Sequence, residues 1–314
     1  MPSDSAAAWS TVDPASIDWV AVDWGTSQLR IWAMDRSGSV LSQRQSNQGM
    51  GKLLPHEFEL TIRSLIQDWL ELARTMRILA CGMVGARGGW CEAPYRTVPG
   101  VPVVADGLAV VRRAEEGMSV QIVPGLAQHD PPDVMRGEET QLAGLVAHGC
   151  RDATVCLPGS HSKWVRMADG CVTSFNTSLT GEAFAALANH TVLRHSVSTQ
   201  EGDDHAEFCA AVREALVRPN QVLSALFGLR SAALLNGLSS AAASARLSGW
   251  LIGLELAGNE GYWQATDRVE LIGEPALSRR YAQALELVDV ASVRHDASAL
   301  TVAGLASLNR QLED

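Results

Sequence analysis

The run Trp19-Val20-Ala21-Val22-Asp23-Trp24-Gly25-Thr26-Ser27-Gln28-Leu29-Arg30-Ile31-Trp32-Ala33-Met34 decides how the rest of the chain is read. Trp19 to Val22 is wholly apolar, the pattern of a strand buried on both faces, and Asp23 sets a carboxylate at its carboxyl end. Gly25, Thr26 and Ser27 follow at once, then a second apolar run and the turn Asp35-Arg36-Ser37-Gly38. The glycine lets backbone amides approach a ligand closely, and the two hydroxyls match phosphate oxygens. A carboxylate beside them offers the hard oxygens that a nucleotide's magnesium takes. The same residues would also serve as a plain polar hairpin turn.

The pattern returns later in the chain. Ala153 to Leu157 reads as a strand, Pro158-Gly159-Ser160-His161-Ser162-Lys163 as a polar turn, Trp164 to Met167 as a strand, Asp169-Gly170 as a turn and Val172 to Phe175 as a third strand. Gly159-Ser160 thus stands to Gly25-Thr26 as a repeat 134 residues on. Two sheets built alike, each opening on a glycine-hydroxyl hairpin, suit a polyphosphate held from both sides. The expected class is α/β, with domains over 17–150 and 151–314, a disordered extension over 1–16, and a last helix able to pack on the first domain.

Composition agrees with two globular domains. The chain has 314 residues, 46% hydrophobic and 19% charged, enough for two cores of ordinary size. A net charge of -10, with no helix-turn-helix or basic segment at either end, argues against nucleic acid. It does not exclude anionic substrates, because a local Arg or Lys cluster overrides the global field within a Debye length. The six cysteines show no Cys-x-x-Cys pair and no zinc spacing, so they read as reduced core residues. Met1 to Ser16 lacks the basic and apolar regions of a signal peptide. Val222 to Ala257 is the most apolar region, but Arg230, Asn236, Arg246 and Glu255 interrupt it as a membrane span. The expectation is a soluble cytoplasmic protein without membrane partners.

Between and after the hairpins, helices are expected over Phe58 to Ala73, Leu108 to Glu116 and Val134 to Ala147, and strands over Arg77 to Met83, Val101 to Val104 and Val120 to Val123. Arg77 to Met83 runs into the glycine-rich loop Gly82 to Trp90. The helix at Val134 carries Arg136-Gly137-Glu138-Glu139 near its start. Two acids there either complement the helix dipole or present a catalytic carboxylate. Helices follow over Gly181 to Asn189, Ala206 to Leu216, Gln221 to Leu234 and Ser240 to Ala257. Val269 to Ile272 is a strand leading into Gly273-Glu274-Pro275, where a glycine would let a flat adenine lie against backbone, or would simply make a tight turn. A strand near Val288 to Ala291 and a helix from Ala297 to Leu312 close the chain.

Five blocks together resemble the 2-dehydro-3-deoxygalactonokinase family: Val22 to Ser27, Gly82 to Gly85, Ala93-Pro94-Tyr95, Val134 to Leu142, and Pro158 to Val165. The likeness runs from about Trp19 to the carboxyl terminus. It implies the actin-like ATPase fold, two ribonuclease H-like domains around a nucleotide cleft. It implies transfer of the γ-phosphoryl group of ATP, with Mg2+, to the 6-hydroxyl of 2-dehydro-3-deoxy-D-galactonate in galactonate catabolism. In that frame Asp23 organises the metal. Gly25, Thr26, Ser27, Gly159, Ser160 and His161 contact phosphates, with Gly273 and Glu274 beside adenine. Lys163 neutralises developing charge, unless it is a strand residue pointing to solvent, and Glu138 or Glu139 acts as base. Arg30, Val84, Gly85, Arg87, Trp90, Pro94, Tyr95 and Arg136 are the candidates for the sugar acid, an arginine fork being the better match for its carboxylate. The epimeric 2-dehydro-3-deoxygluconate, a polyphosphate or nucleotide phosphohydrolase, and a sugar sensor without chemistry stand as alternatives, and a homodimer stays open. Leu157-Pro158 departs from the fold class, which usually has an aspartate before the second phosphate loop.

Overall fold

The computed structural model describes residues 12–70, 74–111, 117–198, 204–266 and 268–313. The chain divides into two compact units, one of 1–151 with 298–314 and the other of 152–297. Residues 298–314 therefore cluster with the first unit, where the sequence-based division has them in the second domain.

In the first unit the elements run β1 (Trp19–Trp24), β2 (Leu29–Met34), β3 (Val40–Ser46), α1 (Phe58–Ile66), β4 (Met76–Gly82), β5 (Tyr95–Thr97), β6 (Ala109–Val110), β7 (Met118–Ile122), β8 (Gly125–His129), β9 (Pro132–Met135) and α2 (Glu138–Ala147). Among the described residues the main sheet has the order β3-β2-β1-β4-β7-β6, and β5-β8-β9 form a smaller one. β1 is antiparallel to β2 and parallel to β4, placing Asp23 between Arg30 and Cys81. The apolar run of β1 has a simple cause: Val20, Val22 and Trp24 pack with Phe58, Ile62 and Ile66 of α1, while Trp19 and Ala21 pack on the other face. A strand covered on both sides has no polar position to spare.

The second unit follows with β10 (Ala153–Leu157), β11 (Ser162–Ala168), β12 (Cys171–Ser178), α3 (Thr180–His190), α4 (His205–Val217), α5 (Val222–Leu235), α6 (Ser240–Gly258), α7 (Glu260–Trp263), β13 (Arg268–Gly273), α8 (Pro275–Glu286) and β14 (Ala291–Asp296). Its sheet order, β12-β11-β10-β13-β14, repeats β3-β2-β1-β4-β7 strand for strand. The senses repeat as well, antiparallel through the first three strands and parallel beyond. Both units thus carry the ribonuclease H-like sheet of the actin-like ATPase fold. Behind it, Gly249 and Gly253 bring α6 close to α4, since a Cβ at Gly249 would lie 2.4 Å from the Phe208 carbonyl oxygen.

The last helix, α9 (Ala297–Glu313), lays Leu305, Ala306 and Leu308 on the face of the first sheet that holds Trp19 and Ala21. It lies against α2 almost backbone to backbone. A Cβ at Gly304 would stand 2.0 Å from the Thr140 carbonyl oxygen, and one at Gly144 the same distance from that of Leu300.

Several expectations need correction. Pro14–Ser16 form a 3-10 turn capped by Asp13 and Ile17 is fully buried, so the expected extension does not reach Ser16; 1–11 lie outside the described residues. The first helix ends at Ile66, with a 3-10 turn over Gln67–Trp69, and 71–73 lie outside the described residues. Ala109–Val110 is a strand added antiparallel to β7, not helix, and 112–116 are outside the described residues. Val101 to Val104 forms no strand. Val134 and Met135 belong to β9, and α2 begins only at Glu138, because Gly137 takes φ 106° and turns the chain between them. The last strand is shifted to Ala291–Asp296, after a turn at Asp289 with φ 59°, while Val290 drops into the core. All six cysteines are free thiols. No helix among the described residues is long and apolar enough to cross a membrane.

Candidate active site

In the first unit, three chain segments converge on Asp23. β1 delivers it, β4 ends beside it at Gly82, and α2 starts next to Gly82. A Cβ at Gly82 would lie 2.8 Å from the Trp24 carbonyl oxygen and 3.3 Å from Asp23 Oδ1, and one at Gly137 would lie 3.3 Å from Gly82 Cα. The two glycines, both with positive φ, make this approach possible. Arg30 Nη1 donates to Asp23 Oδ2 at 3.3 Å. Burial pushes the Asp23 carboxyl above its ordinary value, Arg30 pulls it back, and the Glu138 charge raises it again.

The two glutamates of α2 part company. Glu139 is fully buried, and its carboxylate accepts from the Gly137 amide at 2.7 Å and from Thr140 Oγ1 at 3.2 Å. It closes the start of its own helix, and burial together with Glu138 pushes it up to about 8. Glu138 is half-buried, accepts from the Arg136 amide at 3.0 Å, and is near enough to act on Asp23.

The hairpin at Gly25 to Ser27 is held by a segment that the sequence does not announce. Gly25 N donates to Gln28 O at 2.9 Å, Met50 N to Gly25 O at 3.0 Å, and Gly51 N to Thr26 O at 2.9 Å. Gly49 packs so tightly that a Cβ there would lie 2.4 Å from the Thr26 carbonyl oxygen. Thr26 and Ser27 remain exposed on this braced turn. Its only sequence signal is the pair Gly49 and Gly51 in an otherwise featureless loop.

The candidates for the sugar acid spread over different environments. Val84 and Gly85 are buried, and Trp90 packs against Trp24 and Phe58 at ring distances of 6.2 and 6.4 Å, which makes it a core aromatic. Arg87 is exposed, and so are Pro94 and Tyr95. Arg136 lies over the Tyr95 ring at 4.3 Å and donates to the Ala93 carbonyl at 2.9 Å. Its Nε and Nη1 are buried without a hydrogen-bond partner. Those donors await an acceptor, and a Cβ at Gly85 would come within 2.9 Å of Nη1.

In the second unit, β10 ends at Leu157 and the loop Pro158 to His161 leads into β11. The start of α3 rests on this loop: a Cβ at Gly181 would lie 2.4 Å from the Gly159 carbonyl oxygen, and Glu182 N donates to Ser160 O at 2.9 Å. His161 Nε2 meets Glu182 Oε2 at 2.7 Å. Lys163 is buried in β11, which removes the alternative of a side chain pointing to solvent. A cavity of about 210 Å³ opens beside Gly159, with apolar walls from Phe184, Leu251, Ile252 and Leu277. Glu274 is the N-cap of α8, accepting from Ala276 N at 2.9 Å and Leu277 N at 3.0 Å, which explains an acid at that position.

A family model described as 2-keto-3-deoxy-galactonokinase matches residues 23–308, which spans both hairpins and the α2 start. The chain belongs to this family. A Rhizobium meliloti relative named as a probable 2-dehydro-3-deoxygalactonokinase is 40% identical over 301 residues, covering 94% of this chain and 97% of the relative. The Escherichia coli 2-dehydro-3-deoxygalactonokinase is 34% identical over 283 residues, covering 88% and 93%. A crystal structure from Sinorhizobium meliloti assigned the same activity name superposes with a TM-score of 0.85 at 39% identity, over 93% of this chain and 96% of that one. In this member of the family, sequence reasoning finds both glycine-hydroxyl loops and the acidic helix start, and misses the Gly49 to Gly51 brace and the cavity walls.

Proposed function

We propose that the protein is an ATP-dependent sugar-acid kinase that phosphorylates the 6-hydroxyl of 2-dehydro-3-deoxy-D-galactonate, giving the 6-phosphate and ADP. The observation that carries this is the family match over nearly the whole chain, joined to a fold whose two sheets each end in a glycine-hydroxyl loop. Adenine goes to the cavity beside Gly159, whose apolar walls suit a flat base better than the capped turn at Gly273-Glu274. Gly159, Ser160 and His161 hold phosphates next to it, and Gly25, Thr26 and Ser27 do so in the first unit.

The donor set fits a magnesium ion that keeps most of its water. Asp23 is a single half-buried carboxylate with Glu138 nearby, and no group of three His, Cys, Asp or Glu residues forms a metal cage among the described residues. Magnesium is commonly held through one or two carboxylates and the substrate's phosphates. When bound, it neutralises charge on the transferring group.

Glu138 is the base in this proposal, because Glu139 is spent on its own helix start. Glu138 accepts the proton of the 6-hydroxyl as the oxygen-phosphorus bond forms, and the bond from the γ-phosphorus to the ADP oxygen breaks. Arg136, with two buried donors lacking acceptors, takes the substrate carboxylate. Lys163 supplies positive charge near the second loop.

The test is ADP release with ATP, magnesium and each of the two epimeric 2-dehydro-3-deoxy acids. The galactonate-derived acid should give the higher kcat/KM, with one 6-phosphate formed per ADP. Equal ADP release without any acceptor would defeat the kinase assignment.

A further inference from the structure

The second unit buries a carboxylate that the phosphoryl-transfer proposal does not use. Glu255, in α6, is 4% exposed and lies behind the loop Pro158 to His161. Its Oε1 accepts from Trp164 Nε1 at 2.9 Å, and its Oε2 accepts from Tyr281 Oη at 2.6 Å and from Thr180 Oγ1. These donors come from β11, α8 and α3, so one carboxylate ties together three elements that surround the loop.

The hydrogen bonds continue to the loop itself. Tyr281 Oη lies 2.7 Å from Ser162 Oγ, and the Gly159 amide donates to Ser162 Oγ at 3.4 Å. Counting protons sets the direction. The phenol has one proton and gives it to Glu255; the serine hydroxyl then gives its proton to the phenol oxygen and accepts from Gly159. The chain therefore runs from Gly159 N–H through Ser162 and Tyr281 to the carboxylate. Tyr281 also lines the cavity beside Gly159, so the residue that walls one pocket also anchors the adjoining loop.

We infer that Glu255 and Tyr281 are positioning residues that hold the loop Pro158 to His161 in shape for the nucleotide's phosphates, by fastening Gly159 through Ser162, and so link the base cavity to the phosphate loop. This rests on the proposal that residues 159–161 hold phosphates. Burial holds the Tyr281 phenol well above its ordinary value, so it keeps the proton that the chain needs. A carboxylate is suited to this task because it accepts several bonds at once and donates none while ionised. Three donors into one buried acceptor also leave little freedom for the loop to drift.

The experiment measures ATP and adenosine binding by calorimetry for the wild-type chain and for Ser162→Ala, Tyr281→Phe and Glu255→Gln, with thermal unfolding of each. ATP affinity should fall about tenfold in each variant, the scale of one lost hydrogen bond to a charged chain, while adenosine affinity stays within about twofold. The Tyr281→Phe and Glu255→Gln effects should not add, since both cut the same chain. Parallel loss of ATP and adenosine would mean that the cavity wall alone was damaged and would overturn the inference, as would unchanged ATP affinity in all three. If Glu255→Gln fails to fold, Ser162→Ala and Tyr281→Phe decide. A wild-type chain that binds ATP no tighter than adenosine would instead defeat the phosphate-loop assignment beneath it.

Discussion

Replacing Gly181 with alanine puts one methyl group where the first turn of α3 meets the second phosphate loop. The added Cβ would stand 2.4 Å from the Gly159 carbonyl oxygen and 2.8 Å from Ser160 Cα, against backbone that cannot swing aside as a side chain can. Ordinary contact begins near 3.4 Å, so the loop has to retreat by about 1 Å. Gly181 has no unusual φ, and alanine is favoured over glycine in a helix by up to about 1 kcal/mol. The substitution therefore acts on two observables. Thermal stability should fall by about 1–3 kcal/mol, since the gain in propensity offsets only part of a clash with backbone. A 1 Å displacement of groups that align a reacting phosphate can cost up to about 10²-fold, so kcat/KM for ATP should drop by one to two orders of magnitude. Steady-state kinetics with ATP varied at saturating acceptor, beside a melting curve, reads both. Wild-type kcat/KM for ATP in a folded Gly181→Ala protein would refute the placement of phosphates on this loop.

Four further outcomes follow from the first unit. Glu138→Gln should lower kcat by roughly 10²- to 10⁴-fold with the ATP KM little changed, as expected of a lost base, and a rate within threefold of wild type would remove Glu138 from that role. Glu139→Gln should act on stability instead. A carboxyl raised to about 8 binds its proton more tightly in the folded chain, so its contribution is present at low pH and is lost as pH rises from about 4.5 to about 8. Urea unfolding across that window should show wild type losing stability relative to Glu139→Gln, by up to about 1.4 kcal/mol per pH unit; parallel curves would contradict it. Asp23→Asn should reduce kcat/KM on the order of 10²-fold and raise the magnesium needed for half-maximal rate, both of which a purely structural Asp23 would leave alone. Gly304→Ala forces a methyl to within 2.0 Å of the Thr140 carbonyl and should destabilise by about 1–3 kcal/mol in urea unfolding, whereas a neutral result would mean that α9 does not pack on α2 as described.

The sheets were legible because strands covered on both faces leave almost continuous apolar runs, as at Val20 to Trp24 and Thr154 to Leu157. What escaped was set by tertiary partners. Ala109 and Val110 have apolar spacing compatible with a helix, but the open edge of β7 recruits them as a strand. Val288 to Val290 looks like the last strand, yet Val290 is drawn into the core beside α8, and the more polar Ala291–Asp296 pairs with β13 instead. The start of α8 was readable in principle, since Glu274 followed by Pro275 is an acidic cap before a proline at the first helical position. At the candidate site, the glycine-hydroxyl loops and the acidic pair were visible as residue types. Burial is what separates Glu138 from Glu139, and neighbouring residues of the same kind carry no sign of which one faces inward.

The repeat also gives a reason for the different tasks proposed for the two loops. The register places Asp23 opposite Arg30 across β1 and β2, and the corresponding rung across β10 and β11 places Leu157 opposite Lys163. One scaffold thus presents a carboxylate beside a cation in the first unit and an apolar residue beside a cation in the second. A carboxylate at the front of the second loop would repel a phosphate held there, and the Leu157 rung avoids it. Asp23, the acid proposed to handle the metal, lies in the unit that also carries Glu138. The second unit keeps its carboxylate, Glu255, behind the loop, turned toward Trp164, Tyr281 and Thr180 and away from the phosphates it helps to place. An acid moved from the front of a loop to its rear still orders the loop through donors that point at it, without facing the ligand's charge. That arrangement predicts an asymmetry: restoring an acid with Leu157→Asp should weaken ATP binding in the absence of magnesium, because the added carboxylate brings negative charge to the loop and draws on Lys163, which stands opposite it. ATP binding measured with and without magnesium checks this, and equal or tighter metal-free binding by Leu157→Asp would refute the electrostatic reason for the difference between the two rungs.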